Sequence, residues 1–473
     1  GLLFDLNTMA GNLTSAIQKL KKKQSPNGGW PWFEGMRDSR YITQHIVTGF
    51  GHLDHLGISG FRDDRSAWNM VNKAVLYLDD RMREDYEYIR ENFPEKMEDI
   101  HISRLQIQYL YARSYFKDDI ILNKRNDEAF NYFMEQAGKY WLKQNKYLQG
   151  MIALALHRYG ERSIPSDIIK SLKEHALYNE EMGMYWRSPS GYFWYQAPVE
   201  RQALLIEAFD EVAHDMESVE KMKAWLLKQK QTQDWKTTKA TTEACYALLL
   251  RGTDLLASDE PVDITLGKQK IDPGKMDDVT VEAGTGYFRT SWPGSDIKPE
   301  MGNITVTKSD EGIAWGAIYW QYFENLDKIT RHETPLSLNK KLFVERNTPS
   351  GPVIEPVYDN SSLSIGDKVI VRIELRSDRD MEYIHLKDMR AATFEPVNVL
   401  SGYRYKGGLG YYESTGDAST NFFIGYLSKG TYVFEYPLIA SQKGDFSNGI
   451  TSVQCMYAPE FGSHSEGIRV KVE

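Results

Sequence analysis

The chain is poor in cysteine, with two in 473 residues. Cys245 falls in a helical pattern and Cys455 in a predicted strand, and neither has a partner with metal-ligand spacing. A disulfide framework and a cysteine metal site are therefore excluded, and the redox compartment stays open. Long apolar runs are also missing, because no stretch approaches membrane-spanning length and no signal-peptide pattern is present. We expect no transmembrane segment in this chain.

Positive charge is in deficit as well, with 57 Lys and Arg against 66 Asp and Glu and a formal net charge of -9. Such a balance disfavours nucleic acid and anionic membrane surfaces as partners. Apolar residues are plentiful at 41%, enough for large cores, and the length predicts more than one domain. The chain opens with Gly1-Leu2-Leu3-Phe4 and no initiator Met, so we expect it to be a piece of a longer protein.

One helical phrase recurs five times between residues 40 and 250. Each copy has a Gln or Glu anchor followed by apolar residues at helical spacing. Stacked helical hairpins bury such stripes on one another, either in an open solenoid or in a closed ring. We expect about ten to twelve helices, with the anchors at equivalent positions on inner helices: Gln44, Gln108, Gln149, Gln202 and Glu243.

The turns before the inner helices favour a closed ring. Gln24 to Trp30 reads Gln-x3-Gly-x-Trp, a spacing that resembles the turns of terpene-cyclase toroids. Trp186 and Trp235 follow Gly or polar residues in the same way. The prediction is an α/α toroid over residues 1–257, with its first helix missing from the chain.

Beyond residue 257 the pattern changes to short alternating segments separated by Gly, Pro, Asp and Asn. Val279–Val281, Tyr287–Thr290, Ile304–Val306 and Lys368–Leu375 are predicted strands. The segment Arg346–Pro352 is typical of a linker or a long turn. We therefore expect two antiparallel β-sandwich domains, at residues 258–345 and 346–473.

The β motifs, placed after such a toroid, carry a resemblance to bacterial alpha-2-macroglobulin-like proteins. The toroid resembles their thioester domain, and the β segments resemble their C-terminal domains: Trp315–Glu324, Met381–Asp388, Phe394–Pro396 and Met456–Glu460. The resemblance covers nearly the whole chain. It implies part of a broad-range endopeptidase inhibitor of the cell envelope, periplasmic or membrane-anchored, whose partners are target proteases. Cleavage of a bait region in such proteins triggers a conformational change that traps the protease.

The thioester motif of that family, Cys-x-Glu-Gln, is absent from this sequence. Neither Cys245 nor Cys455 is followed by Glu-Gln, so the motif lies upstream of Gly1 or has been lost. The resemblance implies that Met456 and Tyr457 shield a thioester from water, since a thioether beside an aromatic ring gives a dry cover. The alternative is that both are ordinary strand residues.

Other site candidates have simpler structural interpretations. His45, His52 and His55 share a helical face and, with Asp54, could bind a metal, although no Glu completes a hydrolase motif. Two acidic pairs resemble terpenoid-enzyme metal motifs but lack the final carboxylate, and three carboxylates of the β region could serve acid/base chemistry or simply be solvated: Asp63-Asp64, Asp79-Asp80, and Glu382, Asp388 and Glu395. We expect no catalytic residue, no metal and no cofactor.

Two other function classes compete with the inhibitor. Aromatic residues near the inner turns could stack on sugars in a toroid enzyme acting on polysaccharides or isoprenoids, or could close the ends of the toroid as core residues: Trp30, Trp32, Phe33, Trp186 and Tyr192 to Tyr195. A non-catalytic envelope interaction module is the other alternative. Turnover assays separate the enzyme from an inhibitor, and a bait-like segment in the parent protein separates an inhibitor from an envelope module.

Overall fold

A computed structural model describes residues 6–187, 197–250, 262–276, 279–281, 286–309, 316–326, 328–358 and 361–473. The chain divides into two compact units. The first comprises residues 1–226 and 236–315, and the second comprises residues 227–235 and 316–473. Within the described ranges, no helix is both long and apolar enough to cross a membrane.

The first unit is mainly helical. Its helices are α1 (Leu6–Lys23), α2 (Arg40–His55), α3 (Gly60–Asp63), α4 (Arg65–Asn92), α5 (Arg104–Ser114), α6 (Asp127–Tyr140), α7 (Lys146–Arg158), α8 (Ser163–Glu174), α9 (Pro198–Ala208), α10 (Met216–Thr232) and α11 (Thr238–Leu249). The last six residues of α10, 227–232, belong to the second unit. A short hairpin of β1 (Leu177–Asn179) and β2 (Gly183–Tyr185) precedes α9.

Alternate helices form an inner ring, in which α5 packs between α2 and α7, and α9 between α7 and α11. The first and last of these also meet, because the hydroxyl of Tyr246 on α11 lies 2.9 Å from Nδ1 of His55 on α2. Helices α4, α6 and α8 pack against members of this ring. The predicted ring of helical hairpins is therefore confirmed.

The five anchors stand at equivalent places, each at the fourth, fifth or sixth residue of an inner helix. The side-chain amides of Gln44, Gln149 and Gln202 donate to backbone carbonyls. Gln44 donates to Leu105 O at the start of α5 (3.0 Å), and Gln202 donates to Met184 O (2.8 Å). The repeated phrase thus fixes inner helices to neighbouring backbone.

Two turns, one ending at Trp30 and one ending at Trp186, bond through their side chains to the backbone of nearby helices. The side chain of Gln24 donates to Met70 O (2.8 Å), and the indole of Trp30 donates to Leu20 O (2.9 Å). In the second turn the indole of Trp186 donates to Leu172 O (2.9 Å). Both rings are buried, as expected of core residues rather than sugar platforms.

The aromatic residues that follow Trp30 are placed differently from it. Trp32 and Phe33 are 56% and 71% exposed. Tyr192 to Tyr195 lie outside the described residues. The interpretation of the aromatic set as toroid core therefore holds for Trp30 and Trp186 and fails for this exposed pair.

After the helices comes a three-stranded sheet of β3 (Asp263–Leu266), β4 (Gln269–Ile271) and β5 (Ile304–Thr307), in the order β4-β3-β5. Its small core contains Leu266, Ile271 and Met301. The described residues of the predicted strands at 279–281 and 287–290 have no regular secondary structure, so those predictions were wrong. Strand propensity is realised only where the backbone pairs with another strand, and the described residues of these segments take part in no such pairing.

The second unit is an antiparallel β structure. Its strands are β6 (Leu336–Thr348), β7 (Gly351–Pro356), β8 (Ser362–Leu363), β9 (Lys368–Ser377), β10 (Met381–Met389), β11 (Phe394–Pro396), β12 (Gly402–Lys406), β13 (Leu409–Thr415), β14 (Ser419–Leu427), β15 (Gly430–Ala440), β16 (Gly444–Gly449), β17 (Thr451–Cys455), β18 (Ala458–His464) and β19 (Ile468–Val472).

Two large sheets enclose the core of this unit. One has the order β12-β13-β14-β10-β17-β18 and the other β11-β15-β9-β6-β7, while β16, β19 and β8 form a small third sheet. Alternate residues of the long strands point inward, as in Val369, Val371, Ile373 and Leu375 of β9, all 1% exposed or less. The predicted α-then-β fold is thereby confirmed.

One predicted boundary needs correction. Strand β6 runs without interruption through residue 345 and pairs with β9 from Leu336 to Glu345. Arg346–Pro352 forms the end of β6 and its turn into β7, with Thr348 paired to Gly351. The segment is therefore a hairpin turn, one of its two predicted interpretations, and not a domain linker. Gly and Pro are common to both, so composition alone could not separate them.

Candidate functional site

The described inner helices converge on the carboxylate of Glu207, at the end of α9. Tyr111 of α5 donates its hydroxyl to Oε2 (2.5 Å), and Tyr246 of α11 donates to Oε1 (2.8 Å). Arg158 of α7 donates from Nη2 to Oε1 (2.6 Å). His55 of α2 lies with Nδ1 3.4 Å from the same oxygen. We call these five residues the Glu207 cluster, and each inner helix contributes one of them.

Charge explains why a carboxylate is tolerated there. Glu207 is 1% exposed, and burial alone would raise its pKa. The Arg158 guanidinium and the hydrogen bond from His55 act in the opposite direction, and the net result holds the pKa of Glu207 well below its usual range. The carboxylate is therefore ionised at neutral pH. Buried charges survive when paired and fully hydrogen-bonded, and Glu207 meets both conditions.

Arg158 joins a second carboxylate to the cluster. Its Nε and Nη2 bind Glu211 at 2.8 and 2.6 Å, in a bidentate arrangement. The guanidinium carbon also lies 4.0 Å from the ring centroid of Tyr115, whose hydroxyl donates to Glu207. Glu211 reaches this place from a π-helical turn, Phe209–Ala213, directly after α9. Such turns occur often at functional sites.

Hydrogen-bond directions define the tautomers of two histidines. The single hydroxyl hydrogen of Tyr246 goes to Glu207, so Nδ1 of His55 is the donor in its 2.9 Å contact with that hydroxyl. Likewise Tyr111 gives its hydrogen to Glu207, so Nε2 of His52 donates to Tyr111. Burial lowers the pKa of His52 to about 3, so this imidazole is neutral at physiological pH.

A second acidic group lies beside His52. Oε2 of Glu243 is 3.7 Å from Nδ1 of His52. Burial, and behind it the nearby Glu207 and Glu200, raise the pKa of Glu243 to about 7, although Lys239 acts in the opposite sense. The toroid interior therefore holds one carboxylate that is charged at neutral pH and one that titrates there.

The residues closest to metal-ligand geometry differ from the predicted set of His45, His52, His55 and Asp54. Of the predicted set, Asp54 instead forms a bidentate pair with Arg62 (2.7 and 2.6 Å). His45 stacks on Tyr41, and burial lowers its pKa to about 4. The described residues that approach metal-ligand geometry are His55, Glu207 and Glu211, with ligand atoms within 4.8 Å of one another. Arg158 already lies between the two carboxylates and supplies their counter-charge.

The acidic pairs of the helical part have structural roles. Asp64 caps α4 by accepting from Ser66 N and Ala67 N. Asp79 is fully buried against Arg113 (3.0 Å), and Asp80 binds Arg125 on the surface (2.7 Å). None of these contacts brings the two acidic pairs together at one metal-binding site.

The carboxylates of the β region are also separated. Asp388 is completely buried against Lys340, and Tyr436 donates its hydroxyl to it. Glu395 lies on β11, in the other large sheet. Glu382 is in β10, six residues before Asp388, and is partly exposed.

Met456 and Tyr457 form the turn between β17 and β18. They are 56% and 78% exposed, so neither belongs to the sandwich core. The ring of Tyr457 packs edge-on against Tyr383, with centroids 5.1 Å apart and an interplanar angle of 84°. Met456 N donates to Tyr383 O (2.9 Å). The pair is thus an exposed apolar projection held by a neighbouring strand.

Tyr383 itself has an unusual backbone. Its φ is +58°, in the left-handed region that is costly for a tyrosine. Such strain persists only where the surroundings impose it, and it concentrates at functional positions. Beside it, the thiol of Cys455 donates to Glu382 O (3.3 Å), and the β17-β18 register shifts between Gln454 and Cys455. The turn that carries Met456 and Tyr457 is therefore locally irregular on both sides.

Sequence reasoning missed the Glu207 cluster. Its residues lie between positions 55 and 246, so only ring closure brings them together. Nine residues of α9 precede Glu207, and the last seven, from Glu200, are all buried. The apolar run directly before Glu207, Ala203–Ile206, was the available signal. A carboxylate in a wholly buried helix predicts a buried partner.

Comparison with known proteins supports the C-terminal resemblance. Residues 336–460 match the family model of the bacterial alpha-2-macroglobulin MG10 domain. A curated protein, circularly permutated Ras protein 2 of Dictyostelium discoideum, is 25% identical over 108 residues, which is 23% of this chain and 3% of that protein. That likeness covers too little of either chain to indicate a function.

Solved bacterial alpha-2-macroglobulins are also similar. The trypsin-activated protein of Escherichia coli is 13% identical over 96% of this chain and 29% of its own, with a TM-score of 0.39. The elastase-activated form of the Escherichia coli protein is 13% identical over 96% of this chain and 38% of its own, with a TM-score of 0.36. The Salmonella protein reacted with methylamine is 14% identical over 96% of this chain and 27% of its own, with a TM-score of 0.33. These TM-scores are too low to carry an argument, and the chain covers 27% to 38% of the length of these three structures.

The relationship therefore rests on the β unit, which contains the residues that match the family model. Strands β6 to β17 and the first residues of β18 lie within the matched range. The residues singled out by resemblance, Met456 and Tyr457, fall inside it as well. Over residues 336–460 this chain is similar to the MG10 domain of bacterial alpha-2-macroglobulins.

Proposed function

We propose that the chain is the C-terminal part of a bacterial alpha-2-macroglobulin-like endopeptidase inhibitor, which binds and traps proteases by conformational change and performs no turnover. The match of residues 336–460 to the MG10 domain carries this proposal. The ring of helical hairpins before it supports the predicted domain order, with a thioester-domain toroid preceding the β domains.

The partners of the whole protein are then proteases, and its location is the cell envelope. The solved Escherichia coli relatives are forms activated by trypsin and by elastase, so both enzymes are suitable probes. Met456 and Tyr457 are proposed to cover a reactive bond elsewhere in the parent protein. Their exposure supports this role, because a residue that shields another domain must leave its own core.

The contacts within the toroid favour binding and trapping over catalysis. Glu207 accepts from Arg158, Tyr115 and Tyr246 at Oε1 and from Tyr111 at Oε2. A general base needs access to substrate, and the side chain of Glu207 is 1% exposed. The cluster therefore acts as a polar core that fixes the five inner helices to one another.

The test uses the full-length parent protein with trypsin. Cleavage of the parent should give a compact form in which the bound protease still hydrolyses a small peptide substrate but no longer digests a large protein. The 473-residue chain alone should leave protein digestion unchanged. Equal digestion with and without the parent would contradict the proposal.

A separate assay addresses the enzyme alternative. Turnover of a polysaccharide or prenyl diphosphate panel by the 473-residue chain, abolished by Glu207→Gln but not by the surface change Glu128→Gln, would replace the inhibitor with an enzyme. We expect no turnover from either variant or from the unmodified chain.

A further inference from the structure

The interior of the β unit contains an amine and a carboxyl group in contact across its two large sheets. On β6 the inward positions are Leu338, Lys340 and Leu342. On β10, in the other sheet, Asp388 continues the inward face of Leu386. Nζ of Lys340 lies 2.6 Å from Oδ1 of Asp388, and both side chains are 0% exposed.

We propose that Lys340 and Asp388 condense to an intramolecular amide that links the two sheets covalently. No other described Lys side chain is fully excluded from solvent while touching a fully excluded carboxyl group from a different sheet. The assignment rests on this contact, on the dryness of its surroundings and on the groups that hold the carboxyl oxygens.

Burial removes water from around both groups, so their contact and the hydrogen bonds around it hold them in place. Attack on the carboxyl carbon requires an uncharged amine, which forms when Nζ passes one proton to the carboxylate. The amine then has the lone pair that a nucleophile needs.

Two hydroxyls polarise the carboxyl group of Asp388. Thr451, paired with Asp388 across β10 and β17, donates to Oδ1, and Tyr436 of β15 donates to Oδ2. Burial, reinforced by Asp388, raises the pKa of Tyr436 well above its ordinary value, so the phenol keeps its proton and remains a donor. Fixed donors at both oxygens stabilise the negative charge that develops when the carbonyl carbon is attacked.

The amine is held in place as well. Nζ of Lys340 donates to Met389 O (2.8 Å) and lies 2.6 Å from Oδ1 of Asp388, so two contacts fix its position. An Nζ–Oδ1 distance of 2.6 Å brings Nζ close to the ~3–3.5 Å separation from Cγ at which reacting atoms stand before bond formation. Pre-positioning of this kind replaces the encounter of two separate molecules.

The reaction balances without an added reagent. The Nζ lone pair attacks Cγ of the neutral acid, and a tetrahedral centre forms. The C–OH bond breaks, the nitrogen loses one proton to the departing hydroxyl, and one water molecule leaves. No atom is oxidised or reduced, and the product is a neutral amide in place of an ion pair.

Intact-mass spectrometry of the 473-residue chain tests the proposal. After incubation at neutral pH, the unmodified sequence should be lighter than its calculated mass by one water. Tryptic digestion of the denatured protein should show no cleavage after Lys340, and a branched peptide should contain both Lys340 and Asp388.

The matched variants lie side by side on β6. Lys340→Met removes the nucleophile and should restore the full calculated mass. Lys341→Met changes an exposed neighbour whose side chain points to the other face, and it should keep the water loss. Tyr436→Phe removes one donor and should slow formation of the linked peptide.

Three results would contradict the proposed Lys340–Asp388 amide. The first is a mass equal to the calculated value after prolonged incubation, and the second is normal tryptic cleavage after Lys340. The third is a water loss that maps to a succinimide at another aspartate. The first two are measured on the unmodified chain, so they decide the question even if Lys340→Met fails to fold.

Discussion

His52 stacks face to face on Tyr246, with ring centroids 3.7 Å apart and planes 4° apart. Their helices, α2 and α11, are the first and last of the inner ring, and 194 positions separate the two residues, from 52 to 246. This contact and the bond between Tyr246 and His55 close the ring. The seam between α2 and α11 therefore combines aromatic stacking with a hydrogen bond.

The seam can be tested by removing a hydroxyl and then a ring. Tyr246→Phe loses hydrogen bonds to Glu207 and His55 and should reduce the free energy of unfolding by about 1–3 kcal/mol. Tyr246→Ala should cost about 3–5 kcal/mol because it also leaves a cavity. Urea unfolding followed by helical circular dichroism measures both. Tyr88→Ala, at an exposed site on α4, should change little, and equal losses at both sites would argue against a closed seam.

The Glu207 cluster predicts a large loss of stability that a second substitution partly restores. Arg158→Met leaves a buried carboxylate without its cation and should cost about 3–5 kcal/mol. Adding Glu207→Gln to that variant should recover part of the loss, because the unpaired charge disappears. Arg90→Met breaks an exposed pair with Glu128 and should cost about 0–1 kcal/mol. A double variant no more stable than Arg158→Met would show that the charge is unimportant.

Glu243 predicts a pH dependence. Its folded pKa of about 7 is raised above the ordinary 4.5 of an unfolded Glu. The folded state therefore binds the proton more tightly, and the stability from this group is complete below pH 4.5 and is lost as pH rises to about 7. His52 and His45, with lowered pKa values, contribute oppositely, since their stability is lost as pH falls below 6.5.

The contribution of Glu243 is isolated by difference. Relative to Glu243→Gln, the unmodified chain should lose stability between pH 4.5 and 7 in urea titrations, since the histidine contribution is common to both proteins. A difference that is constant over this range would show that Glu243 does not titrate there.

Gly28 and Gly160 form a matched pair for backbone strain. Their φ values are +99° and +97°, so alanine is strained at both. At Gly28 an added Cβ would also lie 2.3 Å from Lys73 O, whereas at Gly160 it would meet nothing within 4 Å. Gly28→Ala should therefore lower the thermal midpoint clearly more than Gly160→Ala. Equal shifts would mean that the backbone of α4 yields at no cost.

The exposed pair on the β unit predicts a functional effect with little structural cost. Met456→Ala and Tyr457→Ala should each change the stability of this chain by less than about 0.5–1 kcal/mol, because both side chains are exposed. In a thioester-bearing parent the double variant should increase the rate of methylamine labelling. An unchanged rate would leave the pair as surface residues. Val433→Ala, exposed on β15, is a suitable control.

Much of the helical architecture could be predicted from local pattern. The spacing of Gln44, Gln108, Gln149, Gln202 and Glu243 located all five inner helices because each repeat unit carries its own anchor. The turn before Trp30 was predictable for the same reason, since Gln24, Gly28 and Trp30 make local contacts. Such features depend on residues close in sequence.

The remaining features depend on distant contacts. The Glu207 cluster exists only once α2 meets α11, and nothing near residue 207 specifies which phenols will reach it. Tyr287–Thr290 has strand-like composition, but its described residues form no strand, so its propensity was misleading. The pairing of Lys340 with Asp388 likewise needed the register of two different sheets.

The π-helical turn at Phe209–Ala213 has a consequence for how this protein can vary. Each residue advances an α-helix by about 100°, so one extra residue in a turn rotates everything that follows it. Deleting a single position there would carry the carboxylate of Glu211 around the helix axis and away from Arg158. Insertions and deletions near the end of α9 are therefore constrained more tightly than substitutions. The extra residue of the π-helical turn orients Glu211 toward Arg158.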